Sequence, residues 1–272
     1  MQGSPSVNVG GQYTVDFFLA LFPESLMNDI VFESKRYAVK QGKDHFKLEV
    51  DDLRDFLGIN LIMTYIRYPQ IQLYWSSDDS LRMNLIADNM PVNHFEEIAR
   101  FLHFVDAENA QDKFNKVRPV LDKLSETFVA ATDFEEHLSV DEMIIPFKGR
   151  SSLKQYFKSK PKPWGFKVWV LAGVSGYVYK FEMYAGARSE KPSVLGACGD
   201  VVWCLCECLR DKGHKVYFDN VFNSYHLLKQ LQASNIYAVG TCRTNRLLGA
   251  DSALKPVNTD KGRLRSNLRR HL

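Results

Sequence analysis

The run HLSVDEMIIPF, residues 137–147, decides the fold, because the periodicity of the chain changes there. Leu138 and Val140 alternate with Ser139 and Asp141, the period of a half-buried strand, and the run ends in Pro146-Phe147-Lys148-Gly149-Arg150. Downstream, FKVWVLAGV (166–174) is a second apolar strand, Ser175-Gly176 a turn, and Tyr177 to Tyr184 a third strand closing a hairpin. A helix over about 193–211, a strand KVYFD (215–219), a helix over 223–233 and a strand IYAVG (236–240) follow. Three strands in a meander and then two helix–strand units predict a five-stranded mixed sheet with helices packed on it.

Upstream of the switch the pattern is helical. Val15, Phe18, Leu19, Leu21 and Phe22 form one apolar run; Leu53, Phe56, Leu57, Ile59, Ile62 and Tyr65 form a second; Phe95, Ile98, Leu102 and Val105 form a third. Asp51-Asp52 and Asn93 stand where N-caps belong, and Pro23, Pro69, Pro91 and Pro119 mark starts or breaks. No apolar run approaches the roughly 20 residues of a membrane span. Residues 1–11 lack the basic and apolar regions of a signal peptide, which predicts an intracellular protein. The five cysteines, Cys198, Cys204, Cys206, Cys208 and Cys242, are an odd set. Cys204, Cys206 and Cys208 fall at alternate positions of a helix, so they share no face, and they read as small packing residues, not as a zinc site.

Charge is divided between the halves. Residues 1–140 hold 13 Lys/Arg and 22 Asp/Glu, a net of −9; residues 141–272 hold 22 and 10, a net of +12. The second half is suited to a polyanion. Its densest stretch carries Lys148, Arg150, Lys154, Lys158, Lys160, Lys162 and Lys167, interleaved with Tyr156, Phe157 and Trp164 and interrupted by no acid. Cations neutralise phosphates and aromatics pack on sugars or unstacked bases, so this segment is expected to bind DNA. A solvated loop with Trp164 in the core is the plainer reading.

Asp141 lies in the first strand and Asp219 ends the fourth, which brings two carboxylates toward one sheet end. Close carboxylates repel unless a cation lies between them, and oxygen-only donors suit magnesium or manganese. Taken by position alone, Asp141 could equally be a strand-end surface acid and Asp219 a helix cap.

The words around these aspartates add a resemblance. SVDEMIIPFKGR (139–150), KPKPWGFKVW (160–169), YFDNVFNS (217–224) and IYAVGTCRTNR (236–246) are similar to successive motifs of the piggyBac transposase family. Asp16-Phe17-Phe18, Phe56-Leu57-Gly58-Ile59, Tyr74-Trp75-Ser76 and Arg100-Phe101-Leu102-His103-Phe104 are family-like in the helical half, so the likeness runs from about 14 to 246. It implies an α+β chain: an N-terminal helical region, then an incomplete RNase H-like mixed sheet with flanking helices. It also implies three acidic residues holding two divalent ions (magnesium or manganese) for DNA cleavage and strand transfer. Asp141 and Asp219 match the first and second catalytic, metal-binding aspartates; Glu142 is in the motif but points the other way along a strand.

Such relatives place a third aspartate far beyond the second and a cysteine-rich zinc domain after that. Here 53 residues follow Asp219, Asp251 and Asp260 are weak substitutes, and the chain reads as truncated before the third aspartate. The expected division is a flexible start (1–13), a helical DNA-binding or dimerisation-type region (14–136), a partial catalytic-type core (137–246) and a basic, flexible tail (247–272). The function expected is a nuclear, transposase-derived DNA-binding protein without full catalytic activity, a homodimer being compatible with it, and with no membrane or small-molecule partner. An active metal-dependent transposase with an unassigned third ligand, and a protein-interaction module on a domesticated transposase fold, stay open beside it.

Overall fold

The computed structural model describes residues 13–106, 114–158, 160–186 and 193–243, and the chain divides into two compact units between Thr132 and Asp133. The first unit is helical: α1 (Thr14–Leu21), α2 (Glu24–Lys40), α3 (Val50–Tyr65), α4 (Asn84–Ala87), α5 (Val92–Phe101) and α6 (Arg118–Ala130), with a 3₁₀ turn at Ile71–Trp75. Its core is made by apolar stripes at helical spacing. Leu26, Met27 and Ile30 of α2 join Leu53, Phe56 and Ile59 of α3 and Phe95, Ile98 and Phe101 of α5 in one cluster. The Phe56 and Phe95 rings stand 4.8 Å apart across it.

Two helix starts differ from the sequence reading. Asp52 lies in the first turn of α3 and accepts a hydrogen bond from the Glu49 N–H at 2.8 Å, so it works from inside the helix. Asn93 is likewise inside α5, whose boundary is Pro91; a proline there forfeits no helical hydrogen bond. His103, just past the end of α5, is stacked on Tyr37 at 4.0 Å. Its backbone brackets the buried Ser34 hydroxyl, which donates to the His103 carbonyl and accepts from the His103 N–H.

The second unit holds β1 (His137–Pro146), β2 (Gln155–Tyr156), β3 (Trp164–Gly173), β4 (Val178–Met183), α7 (Gly196–Cys206), β5 (Lys215–Phe218), α8 (Tyr225–Ala233) and β6 (Tyr237–Gly240). The sheet runs β2-β3-β1-β5-β6, with β4 also paired to β3. β3 is antiparallel to both β1 and β4, whereas β5 is parallel to β1 and β6 to β5. Six strands replace the five expected. The addition, β2, is two residues paired with Trp164 and Gly165, too short for any periodicity to show.

One face of this sheet carries the core. Leu138 and Val140, Trp169 and Leu171, Val216 and Phe218 pack against Val201, Val202, Leu205 and Cys206 of α7 and Leu227 and Leu231 of α8. Each fully buried aliphatic side chain of this kind contributes roughly 1.5–3 kcal/mol. Cys206 is part of that cluster, and burial pushes its thiol well above the ordinary range, so it behaves as a small inert hydrophobe. Close strand approach is secured at two glycines. A Cβ on Gly165 would stand 2.2 Å from the Ile145 carbonyl oxygen, and one on Gly240 would stand 2.4 Å from that of Phe218.

Candidate functional site

Alternation along β1 decides which side chains leave the core. Leu138 and Val140 are buried; Ser139, Asp141 and Met143 are exposed on the opposite face. β5 repeats the pattern, with Val216 and Phe218 buried and Tyr217 exposed. The parallel register pairs Ser139 with Tyr217 and Val140 with Phe218. The next residues are Asp141, still within β1, and Asp219, just past the end of β5, both exposed, where neighbouring strands are spaced about 4.8 Å. β5 and β6 end together at the paired Phe218 and Gly240, one residue before Asp219, while β1 continues with β3 alone. The two carboxylates therefore sit at the carboxyl ends of parallel strands where the sheet changes from parallel to antiparallel, the usual place for chemistry in open α/β sheets.

Local hydrogen bonds fix both groups. Asp219 Oδ1 accepts from the Val221 N–H at 2.8 Å, turning the chain out of β5, and Asp141 Oδ1 accepts from the Glu142 N–H at 2.8 Å. Among the described residues no Lys, Arg or His lies within ion-pair distance of either carboxylate. Asn223, 1% exposed, donates to the carbonyls of Gly240 (2.9 Å) and Thr241 (3.0 Å), which ties the turn after Asp219 to the end of β6. Sequence reading began the helix at Asn223, but α8 starts at Tyr225 and its cap is Ser224, whose hydroxyl accepts from the Leu227 N–H. An amide between Phe222 and a Ser cap was the available signal. On the same sheet face as the aspartates, His137 Nδ1 and the Tyr217 hydroxyl are 2.9 Å apart, a pair that alternation on two strands could have suggested.

Glu142, next to Asp141, is on the core side. Its carboxylate lies 3.9 Å from Lys167 Nζ, and the two side chains are 26% and 17% exposed. The Lys167 ammonium also stands over three rings, Trp169 at 5.2 Å and Phe157 and Tyr184 at 5.9 Å each. Such contacts are worth about 0.5–2 kcal/mol each, more as water is excluded.

The other cations of the segment are arranged differently. Lys148, Arg150, Lys158 and Lys162 are exposed, and Lys154 and Lys160 half-buried. Among the described residues none of these six has a carboxylate within ion-pair distance. Trp164 is 50% exposed and leans on Tyr156, ring centroids 4.9 Å apart, so it is not a core residue. Lys154 Nζ lies 5.2 Å from the Trp164 ring centre and donates to the Gly149 carbonyl at 2.7 Å, closing the loop that leaves β1. The result is an aromatic and cationic surface on the chain leading directly out of the Asp141 strand. Asp251, Asp260 and the basic cluster over 261–270 lie outside the described residues. Among the described residues no three His, Cys, Asp or Glu side chains gather as a metal-binding group, and no helix is long and apolar enough to cross a membrane.

The strand order, with the parallel pair following the antiparallel meander and helices packed on the sheet, defines an RNase H-like nuclease fold of the transposase class. A cryo-EM structure of a piggyBac transposase synaptic complex with hairpin DNA matches at a TM-score of 0.80 and 21% identity, over 95% of this chain and 57% of that one. The family described as transposase IS4 matches residues 14–267. Human piggyBac transposable element-derived protein 2 is 32% identical over 238 residues, 85% of this chain and 40% of that protein. Human piggyBac transposable element-derived protein 3 is 31% identical over 270 residues, 91% of this chain and 45% of that protein. The chain belongs to the transposase IS4 family in its piggyBac form, and it spans less than half the length of these two curated relatives.

Proposed function

We propose that this chain is a DNA-binding protein derived from a cut-and-paste transposase, acting in the nucleus, with Asp141 and Asp219 as two carboxylates of its metal site. The observation that carries this reading is their placement directly after the last paired residues of β1 and β5, Val140 and Phe218, without a cationic partner among the described residues and next to a segment of cations that also lack one. Two exposed carboxylates side by side repel, and the donor set is oxygen only, which fits magnesium or manganese. Bound there, such ions would supply Lewis-acid stabilisation of the attacking and leaving oxygens of a phosphodiester. The chain's own residues have distinct tasks. Asp141 and Asp219 hold the ions, Asn223 keeps the Asp219 turn against β6, and Lys148, Arg150, Lys154, Lys158, Lys160 and Lys162 hold phosphates. Trp164, with Tyr156 beside it, offers an apolar face to sugar or base. Two carboxylates leave a metal pair under-coordinated, so the purified chain is expected to bind divalent ions weakly and to leave DNA uncut.

Salt dependence of binding tests the DNA reading. If about five cations contact phosphates, log affinity for a random duplex falls with log salt at a slope of about −4 to −5, by counterion release. Reversing Lys158, Lys160 and Lys162 to Glu should flatten the slope and weaken binding to all sequences alike, because phosphate contacts carry no direct sequence information. Fluorescence anisotropy that shows no binding at low salt, or a triple reversal that binds as before, would return the segment to a solvated loop.

A further inference from the structure

Among the described residues, Lys167 is the one cation of the basic segment that stands against both a carboxylate and several aromatic rings. It lies on the core face of β3, in line with Trp169 and Leu171, and beyond Trp169 it closes the end of the apolar cluster. Four separate stretches of chain meet at its ammonium. Glu142 comes from β1 and is the chain neighbour of Asp141; Phe157 comes from the root of the Lys158–Lys162 turn; Trp169 comes from β3; Tyr184 follows β4. Backbone hydrogen bonds reinforce the same junction. The Tyr184 N–H donates to the Lys167 carbonyl at 3.0 Å, the Phe157 N–H to Pro163 at 2.8 Å, and the Lys160 N–H to Phe157 at 3.1 Å.

A phosphate contact needs a donor that can turn toward the solvent. Lys167 would have to leave a carboxylate and three ring faces to make one, exchanging desolvated contacts for a screened one. We propose that Lys167 is instead a positioning residue. Through Glu142 it holds the core side of the strand that presents Asp141, and through Phe157 it holds the base of the turn that presents Lys158, Lys160 and Lys162. It thereby sets the phosphate-binding side chains at a fixed offset from the carboxylate without touching DNA. This role rests on the DNA-binding reading above.

Two measurements on the full chain test it. The first is the salt slope of duplex affinity for Lys167→Met, Lys167→Arg and Lys158→Met. Removing a phosphate contact lowers the slope by about 0.9, which is the result expected for Lys158→Met. Lys167→Met should weaken binding in parallel at every salt concentration with the slope unchanged. Lys167→Arg, which keeps a cation over the rings and against Glu142, should restore most of the affinity. The second is reaction of the wild-type chain with an amine-acylating reagent, followed residue by residue by mass spectrometry, in which Lys167 should react several-fold more slowly than Lys158 and Lys162. A slope for Lys167→Met that drops as far as that of Lys158→Met, or labelling of Lys167 as fast as Lys158, overturns the proposal. If Lys167→Met does not fold, the arginine variant and the labelling still decide it. A wild-type chain that binds no duplex sinks the DNA reading, while the labelling separately judges whether Lys167 is enclosed.

Discussion

Asp141 and Glu142 are consecutive carboxylates on one strand, and the two faces of β1 give them opposite surroundings. Glu142 looks toward the core and has a cation, Lys167, with aromatic rings about it. Asp141 looks away from the core, has its own backbone neighbour as its hydrogen-bond donor, and follows the last residue of β1 paired with β5 as Asp219 follows the last residue of β5. Both residues are carboxylates, and it is the pleat that sends them to opposite faces. On the core face Glu142 meets a cation, whereas on the open face Asp141 and Asp219 accept only local backbone hydrogen bonds and have no cation within ion-pair distance among the described residues. Glu142 and Lys167 thus tie β1 to β3 on the core side, while the Asp141 carboxylate faces solvent.

The largest expected effect separates the two faces by stability. Leu171, fully buried in the core cluster, should cost about 2–5 kcal/mol when cut to alanine, by lost transfer energy and a cavity. Asp141→Asn, on the exposed face one row away, should stay within about 0.5 kcal/mol of wild type. Urea denaturation of both variants measures this, and an Asp141→Asn chain destabilised like Leu171→Ala would mean that the open face is structural after all.

A smaller effect concerns the ions. Manganese titration calorimetry should show weak binding to the wild-type chain and binding at least about tenfold weaker, ~1.4 kcal/mol, to Asp141→Asn. Glu142→Gln, on the other face, should bind manganese as wild type does. Robust manganese-dependent cleavage of DNA, abolished by Asp141→Asn, would show that a third ligand completes the site.

The smallest effect is a pH dependence on the core side. Burial holds His214 below its ordinary value, its Nδ1 lying 2.9 Å from the Glu135 carbonyl. The unfolded chain therefore takes up the proton first, near its unperturbed value of about 6.5. Stability is complete above that pH and is lost as pH falls toward the lower folded value. His214→Asn should shallow the fall in melting temperature between about pH 7 and 5. His103 of the helical unit, also lowered by burial, should account for part of the slope that remains.

Much of this was legible in the chain. Period-two alternation at Leu138 and Val140 placed Asp141 on the open face and Glu142 on the other before any coordinates, because the pleat leaves no third choice. The apolar stripes of α3 and α5 were equally plain, since Leu53, Phe56 and Ile59, and Phe95 and Ile98, recur at helical spacing. Less legible were features made by residues far apart in sequence. The β2–β3 pairing that lifts Trp164 onto the surface joins two residues to a strand they precede, and nothing local announces it.

The sequence by itself determined the element types, the order of strands and helices, the uneven charge and the motifs of the family, because each is written in near neighbours and in residue type. Tertiary structure alone decided which of seven similar cations face solvent. Lys158 and Lys162 carry the same ammonium as Lys167, but Lys167 meets Glu142 from one strand and rings from three other stretches of chain, and only the folded sheet brings those together. Likewise the approach of Asp141 and Asp219 follows from the parallel register that pairs Val140 with Phe218, a hydrogen-bonding choice between strands almost eighty residues apart that neither strand could state alone.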